Sequence, residues 1–179
     1  VGTVTVVSGL YQSWDETLDL ENSVNFLSYT LYYRDADRFS NAKSGNIWIS
    51  ANVYSREFDE HFLRPIGDSF IFAVPLEPGE YVFNDYRFFM NEGVSWRAEG
   101  DFFIPFEIKA GEVTYVGDWR AFGMREEETF LGMVRVAGGF WTNIDMKDED
   151  LERIYTKHPE VKDLPVNDFV QTRLVEDYF

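Results

Sequence analysis

FIFAVPLEPGEYVFNDYRFF (residues 70–89) and FFIPFEIKAGEVTYVGDW (residues 102–119) are the stretches that decide the fold. Val, Ile, Tyr, Phe and Trp dominate both, and these residues suit a pleated, half-buried sheet surface. Each stretch also contains a glycine at a short turn, Gly79 after Pro78 and Gly111 after Ala110, where glycine reverses the chain without steric cost. We therefore predict that each stretch forms two strands joined by a tight turn.

The alternation of side chains in the second stretch supports this prediction. Ile104, Phe106 and Ile108 recur at every second residue, so a strand would place them together on one face. Buried aromatic rings dominate the energetics of protein cores. We expect most of the 17 Phe and 10 Tyr to have this packing role.

Similar patterns on either side bring the prediction to seven to nine short strands with turns between them. The fold class is mainly β, an antiparallel β-sandwich with a short helical C-terminal extension. Further strands are predicted at residues 1–8, 24–33, 47–54 and 129–136, whereas residues 56–67 are ambiguous. The sandwich is expected to span residues 1–140, with residues 141–179 packed on it, as a single domain overall.

A helix is predicted at residues 147–157, because Leu151, Ile154 and Tyr155 have helical spacing. Asp145 is the predicted N-cap, and Pro159 ends the helix. The apolar residues between 166 and 174 also fit helical spacing, which suggests a second short helix.

Composition excludes several classes of protein. The chain of 179 residues suits one domain, and the lack of cysteine excludes disulfides, thiolate metal sites and a cysteine nucleophile. The net charge of −16 repels phosphate backbones, so we predict no nucleic-acid partner. No apolar run approaches the ~18 residues of a membrane-spanning helix, so we predict no transmembrane segment.

The chain opens at Val1 without a methionine or a signal-peptide pattern. We interpret this as a mature protein whose signal peptide has been removed, and we expect an extracytoplasmic location. That location would be the periplasm, the outer membrane through an anchor, or the cell surface.

The motifs PGEYV (78–82), FEIKAGE (106–112) and YVG (115–117) carry a family resemblance. They resemble the immunoglobulin-like or transthyretin-like β-sandwich domains of bacterial secreted proteins. More narrowly, the chain is similar to uncharacterised bacterial lipoproteins with this core. The resemblance implies an extracytoplasmic home and allows a lipid anchor upstream of Val1, but it assigns no functional residues.

Motifs for catalysis and metal binding are missing. The chain lacks a G-x-S-x-G elbow, a phosphate-binding G-x-x-x-x-G-K-[ST] loop and H-E-x-x-H. His61 and His158 have no ligand spacing, and we expect His61 to be solvated within a charged run. The acids after Asp145 do not match a calcium loop, because Lys147 stands at its third position. We therefore predict no catalytic residues, no metal and no cofactor.

One predicted strand face points to binding. If Ile47 and Ile49 enter the core, Trp48 and Tyr54 point outward beside Ser50 and Asn52. Exposed aromatic rings with polar neighbours can stack on sugars or anchor a protein. Trp96 is a second candidate in a predicted loop. The alternative is that the extension or a loop covers this face, and that Trp96 packs back on the sheet.

Three functions remain open from the sequence. The first is a non-enzymatic cell-envelope or secreted module that acts in binding or surface assembly, with a protein or glycan partner. The second is a carbohydrate-binding module that uses Trp48, Tyr54 and Trp96 as ligand-binding residues. The third is a carboxylate-based hydrolase, which would need a close, buried carboxylate pair in a cleft.

Overall fold

The computed structural model describes residues 1–11, 26–37, 43–50, 61–90, 94–98, 103–125 and 136–170. Within them the chain is mainly β with one α-helix, as predicted. Its strands and helix, in chain order, are β1 (Gly2–Tyr11), β2 (Ser28–Asp35), β3 (Ser44–Ser50), β4 (His61–Arg64), β5 (Gly67–Phe72), β6 (Gly79–Phe89), β7 (Ser95–Arg97), β8 (Ile104–Ile108), β9 (Val113–Tyr115), β10 (Asp118–Arg125), β11 (Val136–Ile144), α1 (Lys147–Lys157) and β12 (Val166–Asp168).

The strands form two larger sheets and one small one. The first sheet has the order β11-β10-β1-β5-β4, and the second has the order β3-β2-β6-β7, with β8 also paired to β6. Neighbouring strands in both are antiparallel, except that β1 and β10 run parallel. β9 and β12 form a short parallel pair. The prediction of antiparallel sheets is therefore confirmed for most pairs, and the parallel pairs are an addition to it.

The two larger sheets share one aromatic core. The rings of Phe83 and Trp119 lie 4.9 Å apart across the sheets, and those of Phe88 and Trp141 lie 5.4 Å apart. The Tyr86 hydroxyl donates to the carbonyl oxygen of Gly139 at 3.2 Å, which satisfies its polar group inside the core. The alternation predicted for residues 104–108 is confirmed, because Ile104 and Phe106 are buried in this core.

Helix α1 has the predicted bounds and packs on the first sheet against its interior strands β1 and β5. Leu151 and Ile154 are buried against Ile71 and Tyr115, so the apolar stripe enters a second, smaller core. The cap residue is Met146 rather than Asp145. Asp145 still contributes, because its Oδ1 accepts a hydrogen bond from the Lys147 amide at 3.0 Å. The boundary predicted at residue 140 falls within β11, which continues to Ile144.

Two local expectations are revised. Residues 61–64, in the stretch that the sequence left ambiguous, form β4, and His61 is half-buried there rather than solvated, with Nε2 2.7 Å from Asp68 Oδ1. Residues 166–168 form β12 rather than a helix, because their backbone pairs with β9. β4 pairs with β5, which follows it directly in the chain, whereas β12 pairs with the distant strand β9, which local spacing does not reveal.

Gly117 makes a sharp turn between β9 and β10. Its φ is +91°, and a Cβ atom there would lie 1.9 Å from Asn143 Oδ1. Asn143 Nδ2 donates to the Val116 carbonyl at 2.8 Å, so the amide side chain fills the space that glycine leaves. The turn is followed directly by Asp118, whose carboxylate it helps to direct into the protein.

Candidate functional site

The face of the second sheet that points away from the core is here called the outer face. In β3, Ile47 and Ile49 are buried, whereas Trp48 between them is 60% exposed. The predicted alternation at Trp48 is therefore correct. The neighbouring strands β2 and β6 add the side chains that surround this ring.

Strand register arranges the outer face in three cross-strand rows. The middle row runs Trp48–Thr30–Arg87–Arg97. One flanking row contains Ser50, Ser28, Phe89 and Ser95, and the other contains Asn46, Tyr32 and Asp85. Directly opposite residues on one face are close enough for their side chains to interact. Aromatic, hydroxyl, amide and charged groups thus meet on one surface.

A shallow depression lies at the centre of this face. Its volume is about 300 Å³, and its lining residues are Ser28, Thr30, Tyr32, Asn46, Trp48, Arg87 and Phe89. Across the four strands of the middle row the face spans roughly 14 Å, at ~4.8 Å per strand spacing. A surface of this length and mixed polarity can hold a short extended ligand, with rings to stack on and polar groups to orient it.

The charges on the outer face are unevenly partnered. Arg97 forms an ion pair with Asp85 at 2.9 Å, and its guanidinium carbon lies 5.8 Å from the Tyr32 ring centroid. The Arg87 guanidinium carbon lies 5.1 Å from the Phe89 ring centroid. Its buried Nε has no hydrogen-bond partner, and no carboxylate of the described ranges pairs with Arg87.

The residues predicted for binding do not come together. Trp48 lies on the outer face, whereas Trp96 is half-buried and packs inward, its ring 5.6 Å from that of Phe26. Tyr54 lies outside the described residues. The structure adds Tyr32, Arg87 and Arg97, which the sequence analysis missed. Their signal was the alternation of β2, β6 and β7, once the inward residues of those strands were assigned.

A second polar cluster lies between helix α1 and the first sheet, here called the Arg64 network. It contains Thr3, Arg64, Tyr115, Asp118, Arg120, Glu149 and Asp150. Arg64 Nη2 pairs with Asp150, Nη1 lies 3.1 Å from Glu149, and Nε lies 3.9 Å from Asp118. Arg120 Nε donates to Asp118 at 2.9 Å. Asp118 and Asp150 are both fully buried.

The protonation of Asp150 follows from its surroundings. Burial raises the pKa of Asp150. This upward shift is opposed by hydrogen bonds from Tyr115 and Thr3 and by the positive charge of Arg64. Burial and the nearby Asp150 also raise the pKa of Tyr115, so its hydroxyl stays a donor, at 2.6 Å from Asp150. Thr3 Oγ1 lies 2.9 Å from both carboxylates, although it has one proton to donate. A proton on Asp150 would complete the second hydrogen bond.

The geometry of the Arg64 network indicates a structural role. Each of the four oxygens of Asp118 and Asp150 already has a donor, and neither residue reaches solvent. The pairing and burial of these charges join β1, β4, β9, β10 and α1. In the described ranges, no group of three His, Asp or Glu residues could hold a metal ion.

No family model, curated protein or solved structure matches this chain. Among the helices that the described ranges contain, none has the length and apolar character to cross a bilayer.

Proposed function

We propose that this protein is a non-enzymatic cell-envelope or secreted binding module, an immunoglobulin-like or transthyretin-like β-sandwich in type, that binds carbohydrate on its outer face. The observation that carries the proposal is Trp48, 60% exposed at one end of a row of polar side chains. Large aromatic rings are usually buried, so a flat ring held open by a rigid sheet is suited to stacking on a ligand.

The polar groups around Trp48 fit a ligand rich in hydroxyls. Ser28, Thr30 and Asn46 line the depression and provide both donors and acceptors. Sugars need this combination, since each ring has an apolar face and a rim of hydroxyl groups. A purely apolar protein partner would leave the polar groups unsatisfied.

The enzymatic alternative has less support. A hydrolase needs a carboxylate pair that a substrate can reach. In the part of the chain that the structure describes, Asp118 and Asp150 lie close together, but both are fully buried and their oxygens are already engaged. We therefore propose binding without catalysis.

Affinity gel electrophoresis against a panel of neutral and acidic polysaccharides tests the proposal. We expect retardation by at least one glycan, and we expect Trp48→Ala to weaken it more than tenfold, because stacking on the ring is lost. Leu63→Ala is the matched control: it also truncates an exposed apolar side chain, 74% exposed, on the other sheet. Full retardation of Trp48→Ala, or none of the wild type, would refute carbohydrate binding at this face.

A thermal melt must accompany that experiment. Because Trp48 is mostly exposed, Trp48→Ala should lower stability by no more than about 1 kcal/mol. Trp119→Ala, which removes a ring that is 1% exposed, should cost roughly 3–5 kcal/mol. A large loss for Trp48→Ala would mean that the ring is part of the packing.

A further inference from the structure

Two like charges face each other on the outer face. Arg87 of β6 and Arg97 of β7 are directly paired in register. Like charges at directly opposite positions destabilise a sheet unless other groups compensate them. A negative charge nearby would therefore offset the repulsion between the two arginines.

The described residues supply only part of that charge. Asp85 pairs with Arg97 at 2.9 Å, and no described carboxylate pairs with Arg87. Arg87 Nε is buried without an acceptor, which carries a free-energy cost. The chain has 32 Asp and Glu for 16 Lys and Arg, so carboxylates are abundant elsewhere. Within the described ranges the Arg87 guanidinium therefore has no carboxylate partner, and an external acceptor can pair with it.

We infer that the outer face binds an acidic carbohydrate, a glycan of uronic-acid type, whose carboxylate pairs with Arg87 while a sugar ring stacks on Trp48. This inference rests on the carbohydrate binding proposed above and adds the ligand's charge. A guanidinium presents parallel N–H donors that match a carboxylate in a bidentate pair. Arg87 and Trp48 lie in one row, separated by Thr30 alone, so one short oligosaccharide can reach both.

An acidic peptide is the competing ligand. It would satisfy Arg87 equally well, but it offers few hydroxyl groups to Ser28, Thr30 and Asn46. The negative charge of the whole chain, −16, also repels any polyanion, so attraction must be local. A sugar chain with spaced carboxylates and neutral hydroxyl groups between them offers hydroxyls to the polar side chains and keeps its negative charge local. A peptide with consecutive acidic residues does neither as well.

The test compares acidic polysaccharides with uncharged forms of the same backbones. Polygalacturonate, alginate and hyaluronan are each titrated against the full chain beside their carboxyl-reduced forms, with poly-glutamate as the peptide arm. We expect at least tenfold tighter binding to one acidic form than to its reduced form, because charge-assisted hydrogen bonds are lost on reduction. The preference should shrink as salt is added.

Variants then assign the preference to Arg87. Arg87→Gln should remove most of the tenfold preference for the acidic form over its reduced form. Arg87→Lys keeps the positive charge but loses the planar arrangement of donors. Its preference for the acidic form should therefore lie between those of the wild type and Arg87→Gln. Lys162→Gln, which removes one positive charge at an exposed position far along the chain, is the charge-matched control and should bind as the wild type does. Circular dichroism and a melt confirm that each variant is folded.

The outcomes separate this inference from the broader proposal. Equal affinity for acidic and reduced forms overturns the acidic ligand but leaves carbohydrate binding intact. No binding to any polysaccharide overturns both. Tighter binding of poly-glutamate than of every glycan assigns the face to an acidic peptide instead. An unchanged preference in Arg87→Gln shows that Arg87 does not contact the carboxylate.

Discussion

Arg64 and Arg87 are both sheet arginines that lie near a phenylalanine ring, yet their surroundings are opposite. The Arg64 guanidinium has three carboxylates within 4 Å and is almost fully buried. Arg87, at the solvent face of the other sheet, pairs with no carboxylate of the described ranges. A charge that is neutralised inside the protein can hold strands and a helix together. A charge left without a partner can recognise a ligand.

The largest effect on stability is expected when Arg64, the arginine with three carboxylates around it, is replaced. Arg64→Ala leaves Asp118 and Asp150 buried without their shared counter-ion, and we expect it to lower the free energy of unfolding by about 3 kcal/mol or more. Denaturant titration at neutral pH measures the loss.

Arg153→Ala is the matched control for Arg64→Ala. Arg153 also pairs with Glu149, at 3.4 Å, and its guanidinium carbon lies 4.3 Å from the Phe62 ring centroid. It does not reach the buried acids, so its loss should be below about 1 kcal/mol. Equal losses in the two variants would mean that the buried ion pairs contribute nothing.

A smaller effect should follow from disturbing the turn that directs Asp118 inward. Gly117→Ala places a Cβ atom at positive φ and 1.9 Å from Asn143 Oδ1. We expect a loss of roughly 1–3 kcal/mol, measured by the same titration. Gly111→Ala is the control, because Gly111 also has positive φ, +76°, but open space around it. If Gly111→Ala costs as much, backbone strain alone explains the effect.

A pH titration sharpens the account of Asp150. Its pKa is raised in the folded state above 3.8, so the folded protein holds this proton more tightly than the unfolded chain. The resulting stability is complete below pH ~4 and is lost as the pH rises through the folded pKa. The stability advantage of the wild type over Asp150→Asn should therefore fall as the pH rises above ~4. An advantage that grows over this range would show a lowered pKa.

The smallest effect on stability is expected for Arg87, which pairs with no carboxylate of the described ranges. Arg87→Gln relieves the repulsion from Arg97, so its free energy of unfolding should stay within about 0.5 kcal/mol of the wild type or rise slightly. Arg64→Gln should lower it clearly. The comparison fails if Arg87→Gln destabilises the protein as strongly as Arg64→Gln does.

Local physical chemistry predicted part of this structure. The bounds of α1 and the outward direction of Trp48 follow from periodicity within one element. The turn predicted at Gly111 is likewise confirmed, and the φ of Gly111 is +76°. These features depend only on residues that are close together in the chain, so the sequence is enough to predict them.

The Arg64 network and the arginine pair could not be predicted in this way. Arg64 and Asp150 are 86 residues apart, and four strands must be in register before Trp48 and Arg97 share a row. Asp150 lies in the first turn of α1, where the helix dipole favours an acidic residue. Only the packing of α1 on the first sheet turns that same carboxylate into a buried ion-pair partner.

The place of β1 in the first sheet has a consequence for the order of folding. β1 is a middle strand, held by β5 on one side and by β10 on the other. During synthesis β1 emerges before residues 67–72 and residues 118–125, so both of its edges are covered only after those two segments have followed. Such distant contacts slow the search for the native topology. Until the ribosome has delivered β10, one edge of this strand stays open to association with other nascent chains.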